Sequence, residues 1–125
     1  MEGLVFEGSV IEGDRLGRTI GFPTANIETD GQTAIPAGVF ACRAALDNGM
    51  VYPGMMNVGY RPTVNLGKER RVEVHLFDFN GNLYGQKLRI EIVKFIRGEH
   101  RFNSLDALKE QLLQDSLSIR KLFGL

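Results

Sequence analysis

Gly38-Val39-Phe40-Ala41-Cys42-Arg43-Ala44-Ala45-Leu46, then Asp47-Asn48-Gly49, then Met50 through Val58: this stretch decides the fold class. Two extended apolar-rich runs flank a three-residue turn signal, the pattern of an antiparallel hairpin. Pro53-Gly54 inside the return run marks a bulge or a sheet edge. Outward from this hairpin the same grammar repeats. Leu4 to Glu12 reads as a strand that stops at Gly13-Asp14. Val72-Glu73-Val74-His75-Leu76-Phe77-Asp78-Phe79 alternates strongly before Asn80-Gly81, a second hairpin signal. Lys87 to Ile96 alternates again, with Leu88, Ile90 and Ile92 on one face.

No helix interrupts these strands, so an antiparallel barrel or sandwich is expected rather than βαβ units. Closing so few strands into a barrel is the simplest way to remove exposed edges. One helix follows. It begins after Asn103-Ser104, either of which can cap it, with Asp106 in the first turn favouring the dipole. Leu105, Leu108, Leu112, Ile119 and Leu122 fall near one face, which should lie on the barrel, and Gly124 sits where a helix would stop. With no repeat or linker, residues 1–125 read as a single domain.

Composition narrows the function classes. Fifteen Lys and Arg against fifteen Asp and Glu leave a net charge of zero. That balance argues against a domain held on nucleic acid or an anionic membrane by bulk charge, but not against a local phosphate site. Cys42 is the single cysteine, so no internal disulfide or cysteine zinc cluster can form, and a buried thiol is expected. No apolar run is long enough for a membrane helix, and Met1-Glu2-Gly3-Leu4-Val5-Phe6-Glu7 is unlike a signal peptide. A soluble, cytoplasmic setting is expected. Fifteen glycines in 125 residues exceed the average usage of about 7%, so the backbone turns or approaches something closely many times.

The densest chemical signal runs from Gly13 to Asn26. Gly13, Gly17 and Gly21 with Arg15 and Arg18 between them make a loop able to offer N–H groups and cations to phosphates. It is neither a Walker A loop nor the dinucleotide fingerprint. After Pro23, Thr24 and Asn26 point to one side if the segment is extended, and their oxygens suit a hard cation such as Mg²⁺. The same residues also read as a long loop bonded to its own backbone. Glu73 sits mid-strand beside His75, opposite the face of Val72, Val74 and Leu76. Either could simply be a solvated or structural residue. Asn57 to Thr63 and Arg97 to Phe102 are strand-ending loops with cations and aromatics, able to hold a ring or a phosphate or merely to close a turn.

In this order the segments closely resemble the riboflavin kinase family, in the form found at the C-terminus of bacterial bifunctional riboflavin kinase/FMN adenylyltransferases. The resemblance is carried by Gly8-Ser9-Val10, Gly17-Arg18, Gly21-Phe22-Pro23-Thr24-Ala25-Asn26-Ile27 and Pro36-Ala37-Gly38-Val39-Phe40. It continues through Asn57-Val58-Gly59, Arg61-Pro62-Thr63, Val72-Glu73-Val74-His75-Leu76, Leu83-Tyr84-Gly85, Ile96-Arg97, Phe102 and Ser104-Leu105-Asp106-Ala107-Leu108. Phe40 departs from the tyrosine more usual in the family.

The resemblance implies a six-stranded antiparallel closed barrel of Greek-key type with a C-terminal helix. It implies transfer of the ATP γ-phosphoryl group to the 5′-hydroxyl of riboflavin, with Mg²⁺ accompanying ATP and FMN leaving as product rather than staying as a prosthetic group. It assigns Glu73 as the base and Thr24 and Asn26 to the metal. Gly13, Gly17, Arg18, Gly21, Pro23, Thr24, Asn26 and Asn57 fall to the nucleotide, with residues 13–21 as a flap over it. Arg97, Phe102, Ser104 and Leu105 fall to the flavin. Riboflavin and ATP are the implied partners, with no nucleic acid or membrane, and with fusion to an adenylyltransferase domain in a longer protein. The competing expectation is a non-catalytic barrel that binds a flavin or nucleotide.

Overall fold

Alternation along six strands is resolved by closing them on themselves. The computed structural model describes residues 2–11, 24–29, 34–62 and 68–125. The strands are β1 Val5–Ile11, β2 Ala25–Glu28, β3 Gly38–Ala45, β4 Val51–Pro62, β5 Lys68–Leu76 and β6 Lys87–Arg97, followed by helix α1, Leu105–Leu122. They form a closed barrel in the order β1-β2-β5-β4-β3-β6, with every pairing antiparallel. β3, β4 and β5 run as a meander and β6 returns beside β3, which is the Greek-key arrangement.

Period-two alternation then sorts the side chains. Phe6 and Val10, Ile27, Phe40 and Cys42, Met56 and Val58, Val72 and Val74, and Leu88, Ile90 and Ile92 fill the interior. Cys42 is fully buried among them, and burial pushes its thiol up to about 12.

The intervening positions face outward and divide into two territories. Val39, Ala41, Met55 and Phe77 form a second apolar cluster covered by Ile119 of α1, with Val93, Ile96, Leu112 and Phe123 at its rim. The helix starts on Ser104, whose Oγ accepts a hydrogen bond from the Ala107 amide at 3.1 Å. It ends as the amides of Gly124 and Leu125 bond back to Lys121 and Arg120, with Gly124 at φ +75°.

Three expectations change. Pro53-Gly54 is neither bulge nor edge, since β4 is paired on both sides. The register irregularities lie instead between β3 and β6, around Val39/Phe40 and Ala41/Cys42. Asn80-Gly81 does not close a hairpin, because β5 pairs with β2 and β4 while β6 pairs with β1 and β3. Residues 77–86 cross from one strand pair to the other, and the Gly85 amide bonds to the Val10 carbonyl. On α1, Leu105 and Leu122 are exposed, whereas Asp115 and Ser116 are buried with Ile119. The docking stripe is rotated away from the one the leucines alone suggest.

Candidate active site

Sheet register brings together residues that lie far apart in the chain. Asn26 on β2 pairs with Glu73 on β5, and Glu73 pairs with Asn57 on β4. Asn57 pairs with Val39, and Val39 with Arg97. Residues opposite one another point to the same face, so Asn26, Glu73 and Asn57 stand in one row on the outside of the barrel, on strands about 4.8 Å apart. A carboxylate is thus flanked by two carboxamides. Asn26 is only 6% exposed, Glu73 is half-buried and Asn57 is exposed, so the row opens from β2 toward β4.

Thr24 is half-buried and lies two residues before Asn26, immediately ahead of the first paired residue of β2, Ala25. Arg71 and His75 lie on either side of Glu73 on its own face of β5. His75 marks the border of the row, since its ring meets Phe77 of the helix-covered cluster edge-on at 5.6 Å. Among the described residues, the buried Nε of Arg71 has no hydrogen-bond partner. Its neighbour across the ladder is Gly59. A Cβ on Gly59 would come within 2.8 Å of Glu99 Oε1, so the segment after β6 reaches over β4 at the end of the row.

That segment, residues 98–104, carries Phe102 and Ser104 of the expected flavin residues, with Arg97 and Leu105 at its two ends. Arg97 directs Nε to both carboxylate oxygens of Asp115 at 3.0 Å and Nη2 to Oδ2 at 2.8 Å, and its Nη1 donates to the Gly98 carbonyl at 3.1 Å. Its guanidinium lies 5.8 Å from the Phe102 ring centre, and Phe102 meets His100 edge-on at 4.9 Å. The Ser104 hydroxyl is occupied as the cap of α1, and Leu105 is exposed.

The structure therefore gathers Asn26, Glu73 and Asn57, sets Thr24 beside them and places Arg97 and Phe102 along the same side. Gly13, Gly17, Arg18, Gly21 and Pro23, with the expected flap, lie outside the described residues. Among the described residues no cluster of three or more His, Cys, Asp or Glu side chains is placed to hold a metal. The oxygens at hand are instead the Thr24 hydroxyl, the Asn26 amide and the Glu73 carboxylate, a hard-donor set suited to Mg²⁺ that retains water and phosphate oxygens.

Asp115 and Gln111 went unnoticed in the sequence. An acidic residue in register with Leu108, Leu112 and Ile119 on an otherwise apolar helix stripe is the signal that could have found Asp115.

A family model described as "Flavokinase: Riboflavin kinase" matches residues 2–123. The bifunctional riboflavin kinase/FMN adenylyltransferase of Haemophilus influenzae is 46% identical over 117 residues, covering 94% of this chain and 38% of that protein. The RNA-binding riboflavin kinase RibR of Bacillus subtilis is 38% identical over 121 residues, covering 97% of this chain and 52% of that one. The chain thus spans well under two-thirds of these relatives.

Among solved structures, a Streptococcus pneumoniae protein described as a macrolide-efflux protein superposes with TM-score 0.87 at 36% identity, covering 94% of this chain and 38% of that one. Riboflavin kinase from Trypanosoma brucei superposes with TM-score 0.68 at 22% identity, covering 99% and 82%, and shares the fold.

Proposed function

The chain belongs to the riboflavin kinase family, and on that premise we propose that it transfers the γ-phosphoryl group of ATP to the 5′-hydroxyl of riboflavin, giving FMN and ADP. The observation that supports this most is the row Asn26–Glu73–Asn57, one carboxylate between two amides on the open face of the barrel. Phosphoryl transfer has a loose transition state, so positioning and charge neutralisation do most of the catalysis. Glu73 accepts a hydrogen bond from the riboflavin hydroxyl, aims it at the γ-phosphorus and takes its proton late as the new O–P bond forms. The bond to the β-phosphate oxygen breaks and ADP leaves.

Thr24, Asn26 and Asn57 take the nucleotide side of Glu73, together with Gly13, Gly17, Arg18, Gly21 and Pro23 of the preceding segment. Thr24 and Asn26 would hold the Mg²⁺ that arrives with ATP, whose chemistry is to neutralise phosphate charge. Arg97, Phe102, Ser104 and Leu105 take the flavin side. In this reading residues 1–125 are one catalytic domain working in the cytoplasm. In a longer protein it is joined to an FMN adenylyltransferase, as in the bifunctional relatives. Neither nucleic acid nor membrane is a partner, in keeping with the zero net charge.

The test is direct. Riboflavin and Mg-ATP are incubated with the protein and the flavins are separated by chromatography. One FMN per ADP is expected. Flavin or nucleotide binding without FMN would reduce the domain to a binding module.

A further inference from the structure

Three neighbouring rows of outward side chains cross β2, β5 and β4 on the open face, and Asn26, Glu73 and Asn57 are the middle one. On the helix side, His75 stands opposite Met55, and Thr24 precedes Ala25, the partner of Val74. On the other side, Arg71 stands opposite Gly59, and the exposed Glu28 lies one step beyond the Ile27–Val72 pair. Within these rows Arg71 is the only permanent cation among the described residues. The carboxylates of Glu28 and Glu73 share its surroundings, and that of Glu99 lies over Gly59.

The Arg71 side chain is partly covered. Its Nε is buried, and among the described residues the guanidinium makes no hydrogen bond or ion pair. The two Nη groups are not buried, so they reach open surface on a stem that the protein already covers. Gly59, opposite, has no side chain to hold them. A buried donor left unpaired costs stability, so the fold gains nothing from a guanidinium here.

What the middle row lacks is positive charge. Phosphoryl transfer sets an anion beside the Glu73 carboxylate, yet Thr24, Asn26 and Asn57 are neutral. Arg71 lies two residues along the same face, about 6.7 Å away between Cα atoms, a span that an arginine side chain covers. Its planar fork suits phosphate oxygens. It also approaches Glu73 from the side opposite Thr24, the side left to the acceptor.

We propose that Arg71 is a further catalytic residue, holding the transferred phosphoryl group from the acceptor side. The inference rests on the kinase reading. As the riboflavin 5′-oxygen bonds to the γ-phosphorus and the bond to the ADP oxygen breaks, Glu73 takes the hydroxyl proton. Arg71 donates hydrogen bonds to the phosphoryl oxygens and keeps its own protons. Riboflavin is neutral, whereas the phosphate of FMN carries nearly two negative charges. Arg71 therefore acts on kcat and on retention of the product, and hardly on binding of the substrate.

The experiment titrates riboflavin and FMN separately by flavin fluorescence in the presence of Mg-ADP, and times FMN formation. Arg71→Met keeps an apolar stem and removes the unpaired donor, so the melting temperature should not fall. The Kd for riboflavin should stay within about twofold. The Kd for FMN should rise about tenfold or more, and kcat should fall by about 10- to 100-fold, the scale of lost hydrogen bonds to a charged group. Arg71→Lys restores the cation without the fork. It should recover part of both effects, and it serves if the methionine variant does not fold, again with FMN affinity reduced and riboflavin affinity unchanged.

Equal weakening of riboflavin and FMN would assign Arg71 to the neutral part of the flavin and overturn the proposal, as would an unchanged FMN affinity and kcat. A wild-type protein that forms no FMN but binds it more tightly than riboflavin, through Arg71, overturns the kinase reading and keeps the phosphate contact. A wild-type protein that binds neither flavin overturns both.

Discussion

Met55 and Asn57 are two residues apart on the same face of β4, yet they belong to different worlds. Met55 is 5% exposed beneath α1, in the cluster with Val39, Ala41 and Phe77, while Asn57 is exposed in the row with Glu73 and Asn26. Backbone geometry is the same in both places, and so is the barrel core behind them. The difference is what the outward side chains ask for. Apolar groups recruit the helix, because covering them removes hydrophobic surface from water. Amides and a carboxylate lose solvation when covered that way, and the helix leaves this stretch uncovered at Asn57. The helix boundary therefore doubles as the boundary of the site, and His75, edge-on to Phe77, stands on the line.

The strongest way to test this contrast is to change the open side chemically and leave its shape. Glu73→Gln keeps a hydrogen-bond acceptor but cannot take a proton, and we expect kcat to fall by about 10²–10⁴-fold. Flavin and ADP affinities should move only a few-fold, and circular dichroism should show an intact barrel. A near-normal kcat would remove Glu73 as the base.

The covered side should respond in the opposite currency, stability rather than rate. Ile119 is fully buried between helix and barrel, and Ile119→Ala should cost about 2–5 kcal/mol in denaturant unfolding. A loss under about 1 kcal/mol would mean that α1 is not part of the cooperative core.

Asn57 sharpens the comparison with Met55. Being exposed, Asn57→Ala should change stability by no more than about 0.5 kcal/mol. If its amide faces nucleotide phosphate, the KM for ATP should still rise roughly tenfold, the loss of one hydrogen bond to a charged group. An unchanged KM would confine the nucleotide to the β2 side of Glu73.

The smallest effect belongs to the outer rim of the covered region. Arg120 lies 4.6 Å over the Phe77 ring and bonds the exposed Asp78, and that bond lowers the Asp78 pKa below the ordinary carboxylate value. A folded-state pKa below the unfolded one makes the contribution present above the usual carboxylate range. It is lost as pH falls through the lowered value. Asp78→Asn should lower stability slightly at neutral pH, leave it unchanged below the lowered value, and so flatten the acid limb of the stability curve. An equally steep limb in the variant would assign it to other carboxylates.

Much of this architecture was legible before any coordinates. Five strands, the Asp47-Asn48-Gly49 turn, a helix cap at Asn103 or Ser104 and the burial of Cys42 follow from alternation, turn chemistry and composition, and the structure puts the cap on Ser104. The four-residue β2 did not stand out by pattern and entered through the family resemblance, being too short for alternation to register. Asn80-Gly81 misled because a good turn dipeptide reports local backbone preference and says nothing about which strand comes next in the barrel. Asp115 escaped because its partner, Arg97, lies on a different element.

The sequence by itself determined which residues face in and which face out, because a strand's side-chain period is set by covalent geometry. It also determined where the chain turns and where the helix begins, since glycine, asparagine and serine act on their own neighbours. Only the tertiary structure decided that Asn26, Glu73 and Asn57 share a row and that Arg97 is clamped by Asp115. Those relations depend on strand order and register across the closed barrel. A shift of one residue in any ladder would turn the polar set inward, so the whole core, rather than any local preference, holds the row in place.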